Sequence, residues 1–346
     1  MAIQEQSADM KAAAESKSGD EQKLDNILRP AGFEHFVGQK DVVDNLLVFC
    51  TAAKNRGETL DHTLLYGPPG LGKTTLSMIL ASKMGSTLRQ TSGPALEKPG
   101  DVASILTNLQ HGDILFIDEI HRLKRTVEEL LYTAMEDYAI DLVVGSGPGA
   151  RTMRLSVPPF TLIGATTQMS LLSSPLRDRF GHTEKLRFYT HEEIQQIIQR
   201  SAGILETEIS NEAAAVLAKS ARRTPRIANR LLRRVRDFAA VGHDGVVTES
   251  IAWESLKRLS IDAVGLDYND QQYLNILTQQ FHGGPVGVGT IAAAMSESVE
   301  TIEEVIEPYL IREGLLNRTP KGRKATQKAF EHLGIQPPKS FQSTLL

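Results

Sequence analysis

The sequence predicts an α/β core, a parallel sheet flanked by helices, followed by a small all-α domain and a C-terminal winged-helix domain. Three stretches carry this expectation. The first is Gly67-Pro68-Pro69-Gly70-Leu71-Gly72-Lys73-Thr74, set between the strand-type run Thr63 to Tyr66 and a helix carrying Leu76, Ile79, Leu80 and Met84 at helical spacing. The second is Ile114-Leu115-Phe116-Ile117, apolar at every position, as a strand covered on both faces of a parallel sheet must be. The third is the succession of amphipathic helices from His191 onward, closing on a basic hairpin near the C-terminus.

At 346 residues the chain exceeds what one core supports, since single cores seldom grow past about 250 to 300 residues. A hydrophobic share of 41% and a charged share of 23% are ordinary for a globular protein, and no apolar run approaches the roughly 20 residues that cross a bilayer. The expected setting is cytoplasmic, with no membrane. Met1 to Asp20 is polar, lacks the apolar stretch of a secretory signal, and is expected to be disordered. Cys50 is the only cysteine, which excludes an internal disulfide and a cysteine-based metal site. A net charge of −4 excludes a uniformly cationic nucleic-acid coat, so any such contact must be local.

Just ahead of the first strand, Leu28-Arg29-Pro30 and Phe33 to Gln39 lead into an amphipathic helix with Val42, Val43, Leu46, Leu47 and Phe49 on its apolar side. Its order in the chain makes this segment a candidate for gripping a nucleotide base. The next stretch fills the spacing G-x-x-x-x-G-K-[ST] at every fixed position. Glycines there let successive backbone N–H groups converge on an oxyanion at the start of a helix, Lys73 reaches the β- and γ-phosphates, and Thr74 offers its hydroxyl to Mg²⁺. An ordinary Gly/Pro turn that happens to hold a lysine is the plain alternative; the strand before and the helix after favour the phosphate reading.

The apolar strand ends in Asp118-Glu119. Ligands of such sheets lie beyond the carboxyl ends of the strands, so Asp118 is expected to face the Mg²⁺ and Glu119 to polarise an attacking water, against the alternative of a solvated acid pair. His121 lacks a partner at metal-ligand spacing and is read as structural or coupling. Ile140 to Val144 and Thr152 to Val157 flank Gly145 to Gly149 as a β-hairpin, on which Met153 and Leu155 are either core or a docking patch. Phe160 to Ala165 is a further buried strand; it ends in Thr166-Thr167, where a hydroxyl can sense the γ-phosphate or hold the water. In Ser174 to Phe180, Arg177 and Arg179 fit equally an arginine lent to a neighbour's phosphates and a surface ion pair.

The helices His191 to Leu205 and Asn211 to Ala221 have apolar faces at Ile194, Ile197, Ile198 and at Ala214, Leu217, Ala218. A third, opening at Thr224-Pro225-Arg226-Ile227, is rich in arginine, but Ile227, Leu231, Val235 and Phe238 form one stripe and leave the arginines solvated; only Arg226 at the helix start is aimed. The segments Tyr273 to Phe281, Thr290 to Ser296 and Thr301 to Glu313, with the hairpin around Pro320-Lys321-Gly322, suggest a winged helix. Arg318, Lys321, Arg323, Lys324 and Lys328 follow one another with no acid among them, a phosphate-binding stripe, while Glu300, Glu303, Glu304 and Glu307 would be repelled from a major groove. The wing is therefore expected to grip backbone without reading sequence.

With P-loop, Asp-Glu, Thr-Thr, paired arginines, Pro-Arg-Ile helix and basic wing in this order, the chain resembles the AAA+ ATPases, and within them the RuvB family of Holliday-junction branch-migration motors. The likeness runs from about residue 25 to the C-terminus, through blocks such as Thr91 to Pro94, Leu115 to Leu123, Met135 to Tyr138, Pro175 to Gly181 and Gly283 to Gly287. The resemblance implies a tail over 1–24, a large ATPase domain over 25–189, a helical lid over 190–260 and a winged-helix head over 261–346. It implies an ATP-hydrolysing DNA translocase of recombination and repair, a homohexamer on the duplex arms of a Holliday junction, loaded by RuvA and working beside RuvC. On the family pattern Leu28, Arg29, Gly70, Lys73, Thr74, Thr75, Glu136, Asp137, Tyr138, Tyr189, Arg179 and Arg226 bind ATP, and Thr74 and Asp118 hold Mg²⁺. Lys73, Asp118, Glu119, Thr167, Arg179 and Arg226 are the catalytic set, with Arg179 the finger given to the next subunit and Arg226 the lid sensor. Arg318 and Arg323 match DNA contacts, and Met153 and Leu155 the pair that docks RuvA. The sequence departs from the family in Gln168, commonly arginine, and in Val299, near a commonly basic DNA contact. A clamp loader or replication initiator is opposed by the hairpin and the wing, and a nucleotide-gated scaffold without turnover by Glu119 and Arg179.

Overall fold

The computed structural model describes residues 24–144, 151–242 and 244–338. All but the last residue of the expected N-terminal tail lies outside the described residues, as does the hairpin tip from Gly145 to Gly149. By packing the chain forms two compact units, one of residues 24–206 with Arg223–Arg230, the other of Thr207–Arg222 with residues 231–338.

The first unit carries strands β1 (Thr63–Tyr66), β2 (Leu88–Ser92), β3 (Ile114–Asp118), β4 (Ala139–Val144), β5 (Arg151–Ser156), β6 (Thr161–Thr166) and β7 (His182–Lys185), and helices α1 (Lys40–Arg56), α2 (Lys73–Met84), α3 (Arg125–Asp137) and α4 (His191–Ile204). Five strands form one sheet in the order β2-β3-β6-β1-β7, every neighbouring pair parallel. Every residue of β6 is buried, as are all of β3 but Asp118 and all of β1 but Tyr66, while the edge strands β2 and β7 are half exposed. Leu64, Leu106, Leu115, Ile117, Leu131, Phe160 and Leu162 make the core, each contributing about 1.5–3 kcal/mol by leaving water. β4 and β5 pair outside this sheet as an antiparallel hairpin.

Local chemistry sets the helix ends. Gly85 closes α2 in the left-handed conformation, with Ser86 N donating to Ala81 O at 2.9 Å. Thr190 and Glu193 form a reciprocal capping box that starts α4. Two expected stripes shift. In α1 the buried line is Val42, Leu46, Cys50 and Ala53, with Leu47 and Val48 exposed. In α4 Ile194 and Ile198 are buried with Ala202, whereas Ile197 lies off that line.

The second unit begins with α5 (Asn211–Ser220), takes the later part of α6 (Pro225–Gly242), and continues with the helix Glu249–Arg258. Ala214, Leu217, Leu231, Leu232, Val235 and Ala252 are buried there. Its C-terminal part is a winged helix with helices Tyr268–Asn275, continuing through Ile276–Gln280, and Val288–Met295, a helical stretch over 299–312, and the hairpin β8 (Leu316–Thr319) and β9 (Gly322–Ala325). The first helix starts five residues before the expected Tyr273, because Asp267 accepts from Asn269 N and Asp270 N and caps it. Val286 N donates to Arg323 O at 3.0 Å and Arg323 N to Val286 O at 2.7 Å, so the Gly283 to Gly287 block joins the wing through a single antiparallel bridge to β9. Among the described residues no helix is long and apolar enough to cross a membrane.

Candidate active site

Because β6 lies between β1 and β3, three loop ends meet at one edge of the sheet. Gly67 follows β1, Asp118 ends β3, and Thr166 ends β6, with Gly67 N donating to Thr166 O at 3.1 Å. The cleft that opens there is lined by Leu28, Arg29, Gly70, Lys73, Thr74, Thr75, Asp118, Glu119, Tyr189 and Arg226, all of one compact unit. These ten expected residues, drawn from positions up to nearly 200 apart in sequence, thus converge.

The P-loop needs its glycines for space as well as conformation. Gly70 has φ +77°, and a Cβ there would stand 2.8 Å from Thr224 Cγ2 and 3.1 Å from Arg226 Cβ. Lys73 is buried, its Nζ donating to Gly67 O at 2.7 Å and Pro68 O at 3.0 Å. Burial lowers its pKa, Asp118 and then Glu119 oppose that, and Arg226 adds to it. Arg29 is likewise lowered by burial, with Asp25 opposing and Arg226 adding, and Arg200 is lowered by burial alone. Four cations around one cleft, two of them depressed in part by a like-charged neighbour, form a site matched to a polyanion.

Asp118 accepts Glu119 N at 3.0 Å on its own carboxylate. Glu119 has φ 48° and ψ 45°, and its carbonyl oxygen sits where a Cβ on Gly93 would be, 2.3 Å away, which explains the glycine of the Thr91 to Pro94 block. Its Oε2 accepts from Thr167 Oγ1 at 3.1 Å and lies 3.2 Å from His121 Nδ1, which is 2.9 Å from Thr166 Oγ1. Thr167 and His121 therefore hold the carboxylate from behind. Tyr189 is buried and donates from Oη to Leu71 O at 3.0 Å; burial, ahead of other influences, raises its pKa, so the phenol remains a donor.

Four expected nucleotide residues lie outside this cleft. Arg179 Nη2 is 2.5 Å from Glu136 Oε2, Asp137 accepts from Arg154 Nη2 at 2.8 Å, and Tyr138 packs edge-on to Phe160. Phe36 and Val37, from the segment expected to grip the base, do line the cleft, and it further recruits Ile197, Arg200 and Asn229, which the sequence reading did not select. Phe36 lies against the P-loop, 3.1 Å from where a Cβ on Gly72 would be, and Ile197 turns to the cleft instead of the core. Arg200 Nη1 donates to Leu28 O at 2.9 Å and so anchors the segment before α1. Order in the chain, just upstream of the P-loop, marked Phe36 and Val37; a single arginine on an amphipathic helix carried no such signal.

On the hairpin, Met153 is 46% exposed opposite Leu142, whereas Leu155 faces buried Ile140 and packs partly onto the core. Of the expected docking pair, Met153 is thus the side chain that projects. In the wing, the acid-free stripe of the sequence does not stand alone. Arg318 and Arg323 both bind Glu307, which is fully buried, and Arg323 also binds Glu303. Glu307 is thus buried against the hairpin, while Glu303 stays part-exposed and reaches it through Arg323.

Three family models match successive parts of the chain: the Holliday junction DNA helicase RuvB P-loop domain over residues 28–186, the RuvB AAA lid domain over 189–262 and the RuvB C-terminal winged helix domain over 263–334. A solved structure of the Thermotoga maritima RuvB Holliday junction branch migration motor is 47% identical with a TM-score of 0.81, the match covering 90% of this chain and 100% of that one. A lysine-to-arginine mutant of Thermotoga maritima RuvB is 48% identical with a TM-score of 0.82, covering 90% and 99%. The parallel sheet, the P-loop before α2 and the acid pair ending β3 define a P-loop ATPase of the AAA+ class. Lid and winged helix follow in the same chain. The chain belongs to the RuvB family.

Proposed function

We propose that the chain is an ATP-driven motor that moves the branch point of Holliday junctions in recombination and repair, acting in the cytoplasm as a homohexamer on duplex arms. The observation that carries this reading is the meeting of Lys73, Thr74, Asp118, Glu119 and Arg226 in one cleft of a chain that also ends in a cationic wing. Large domain, lid and head would divide near residues 189 and 260.

Lys73 and Arg226 would bind and neutralise the phosphates, with Phe36, Val37 and Ile197 offering an apolar wall to the base. Thr74 and Asp118 supply a hydroxyl and a carboxylate, hard oxygen donors of the kind Mg²⁺ accepts alongside phosphate oxygens. Bound there, Mg²⁺ would offset charge on the transferring phosphoryl group. Glu119, steadied by Thr167 and His121, would orient the attacking water. Arg179, beside Glu136 and outside its own cleft, would reach the ATP of the next subunit, and Glu136, Asp137 and Tyr138 would face that same ATP. The wing would hold phosphates without base preference. RuvA would dock on the hairpin and bring the ring to the junction, where RuvC would cut.

The test is dissociation of a synthetic four-way junction by the full chain with RuvA, ATP and Mg²⁺, beside Lys73→Ala. ATP-dependent arm exchange that the variant lacks is the expected result. Hydrolysis with the junction left intact, while RuvA binds it, would remove the branch-migration reading. Met153→Asp, which puts a charge on the exposed hairpin side chain, is expected to weaken RuvA binding at least about tenfold and leave ATP hydrolysis unchanged. An unaltered RuvA affinity would take Met153 out of the interface.

A further inference from the structure

One crossing of the chain between its two compact units falls inside a tight turn, at the bond between Arg222 and Arg223. Both residues hold the left-handed conformation, with φ 52° and 54°, which non-glycine residues keep only where their surroundings fix them. Each side of the turn supplies such a hold. Within the first unit, Arg223 O accepts from Tyr189 N at 3.2 Å, and Thr224 and Arg226 back onto Gly70 of the P-loop. Within the second, Arg222 of the lid segment grips the first turn of the winged helix. Its Nε donates to Gly265 O at 2.8 Å, and its Nη2 binds the buried Asp270 and, at 2.9 Å, Asp267, the cap of the helix Tyr268–Asn275. Its guanidinium lies 4.6 Å from the centre of the Tyr309 ring, and Arg312 Nη2 donates back to Arg222 O at 3.1 Å. Gly265 packs so closely there that a Cβ would stand 2.5 Å from Ser220 O.

The turn therefore has the phosphate-binding loop at one end and the winged head at the other. A planar guanidinium whose donors are spent on a carbonyl and two carboxylates has little freedom to yield, so a shift at one end is carried to the other instead of being absorbed. We propose that Arg222 is a positioning residue that couples the ATP cleft to the head: it passes displacement of the Arg226 end of the turn to the winged helix, and without it hydrolysis goes on while the head no longer follows. This rests on the reading that the chain is an ATP-driven junction motor.

The test is Arg222→Gln in the full chain, with RuvA, ATP, Mg²⁺ and a synthetic four-way junction. ATP hydrolysis and binding to a linear duplex are expected to match the parent, while junctions dissociated per ATP hydrolysed fall at least about tenfold. A merely structural role would lower the share of active chains, so that hydrolysis and dissociation drop together and their ratio is kept; that result overturns the proposal. Loss of duplex binding would show that Arg222 shapes the head itself, and overturns it as well. Burial lifts the Asp270 carboxyl to about 7, and Arg222 is the first influence holding it down, so on loss of the arginine it takes up a proton instead of standing as a lone buried charge. If the single variant still does not fold, Arg222→Gln with Asp270→Asn, which leaves no ionisable group in the buried pair, carries the same expectation. A parent chain that hydrolyses ATP and leaves the junction intact removes the motor reading and this one with it. A ratio unchanged by the substitution, in a parent that does dissociate the junction, removes the coupling role alone.

Discussion

Glu119→Gln is expected to bind ATP with the affinity of the parent chain and to hydrolyse it at least about 100-fold more slowly. Glutamine keeps the length and can still accept from Thr167, so the geometry behind the carboxylate survives. It cannot take a proton from water at neutral pH. Asp118 and Thr74, the proposed Mg²⁺ donors, are untouched, and so is Lys73. Equilibrium nucleotide binding set beside steady-state phosphate release would separate the two effects. A variant that turns over ATP at the parent rate would remove Glu119 from water activation; one that fails to bind would show that its charge serves the site's electrostatics instead.

Arg179→Ala is expected to lower hydrolysis about 10³-fold, the lower end of what an arginine finger supplies. Its own cleft would be unaltered, since Arg179 contacts Glu136 and lines no part of that cleft. The decisive form mixes two inactive chains. In the proposed ring, built from Arg179→Ala and Lys73→Ala subunits, an intact cleft on one subunit would meet an intact finger from the other, so hydrolysis is expected to return in proportion to such neighbours. Two inactive chains that stay inactive when mixed, under conditions where they co-assemble, would place Arg179 in a role within its own subunit. An Arg179→Ala chain of normal rate would leave the contact with Glu136 as a surface ion pair.

The parts of the site legible in the sequence were those whose chemistry is local. Lys73 and Thr74 are set by a loop of fixed spacing, and Asp118 and Thr166 each end a run of buried residues, which marks the carboxyl edge of a parallel sheet. Arg200 and Ile197 were not legible as cleft residues, because periodicity says which face of α4 is apolar but not which neighbour it meets. The buried acid behind the wing was not legible for a related reason. Glu307 is buried only by pairing with Arg318 and Arg323, 11 and 16 residues further on, which no local pattern of the helix shows. Sequence patterns register burial through apolar residues and are silent on acids buried by their partners.

Glu119 has a consequence for how this chain can change. Its left-handed backbone costs a side-chain-bearing residue about 1–3 kcal/mol, against a total stability that for domains is about 5–15 kcal/mol. Folding by itself would favour glycine at this position, where nothing forbids the conformation. The turn after β3 therefore sets two selective pressures against each other, and drift toward greater thermal robustness would tend to erase the carboxylate. A thermostable descendant of this chain would have to gain its stability elsewhere, in loops and surface positions remote from the end of β3.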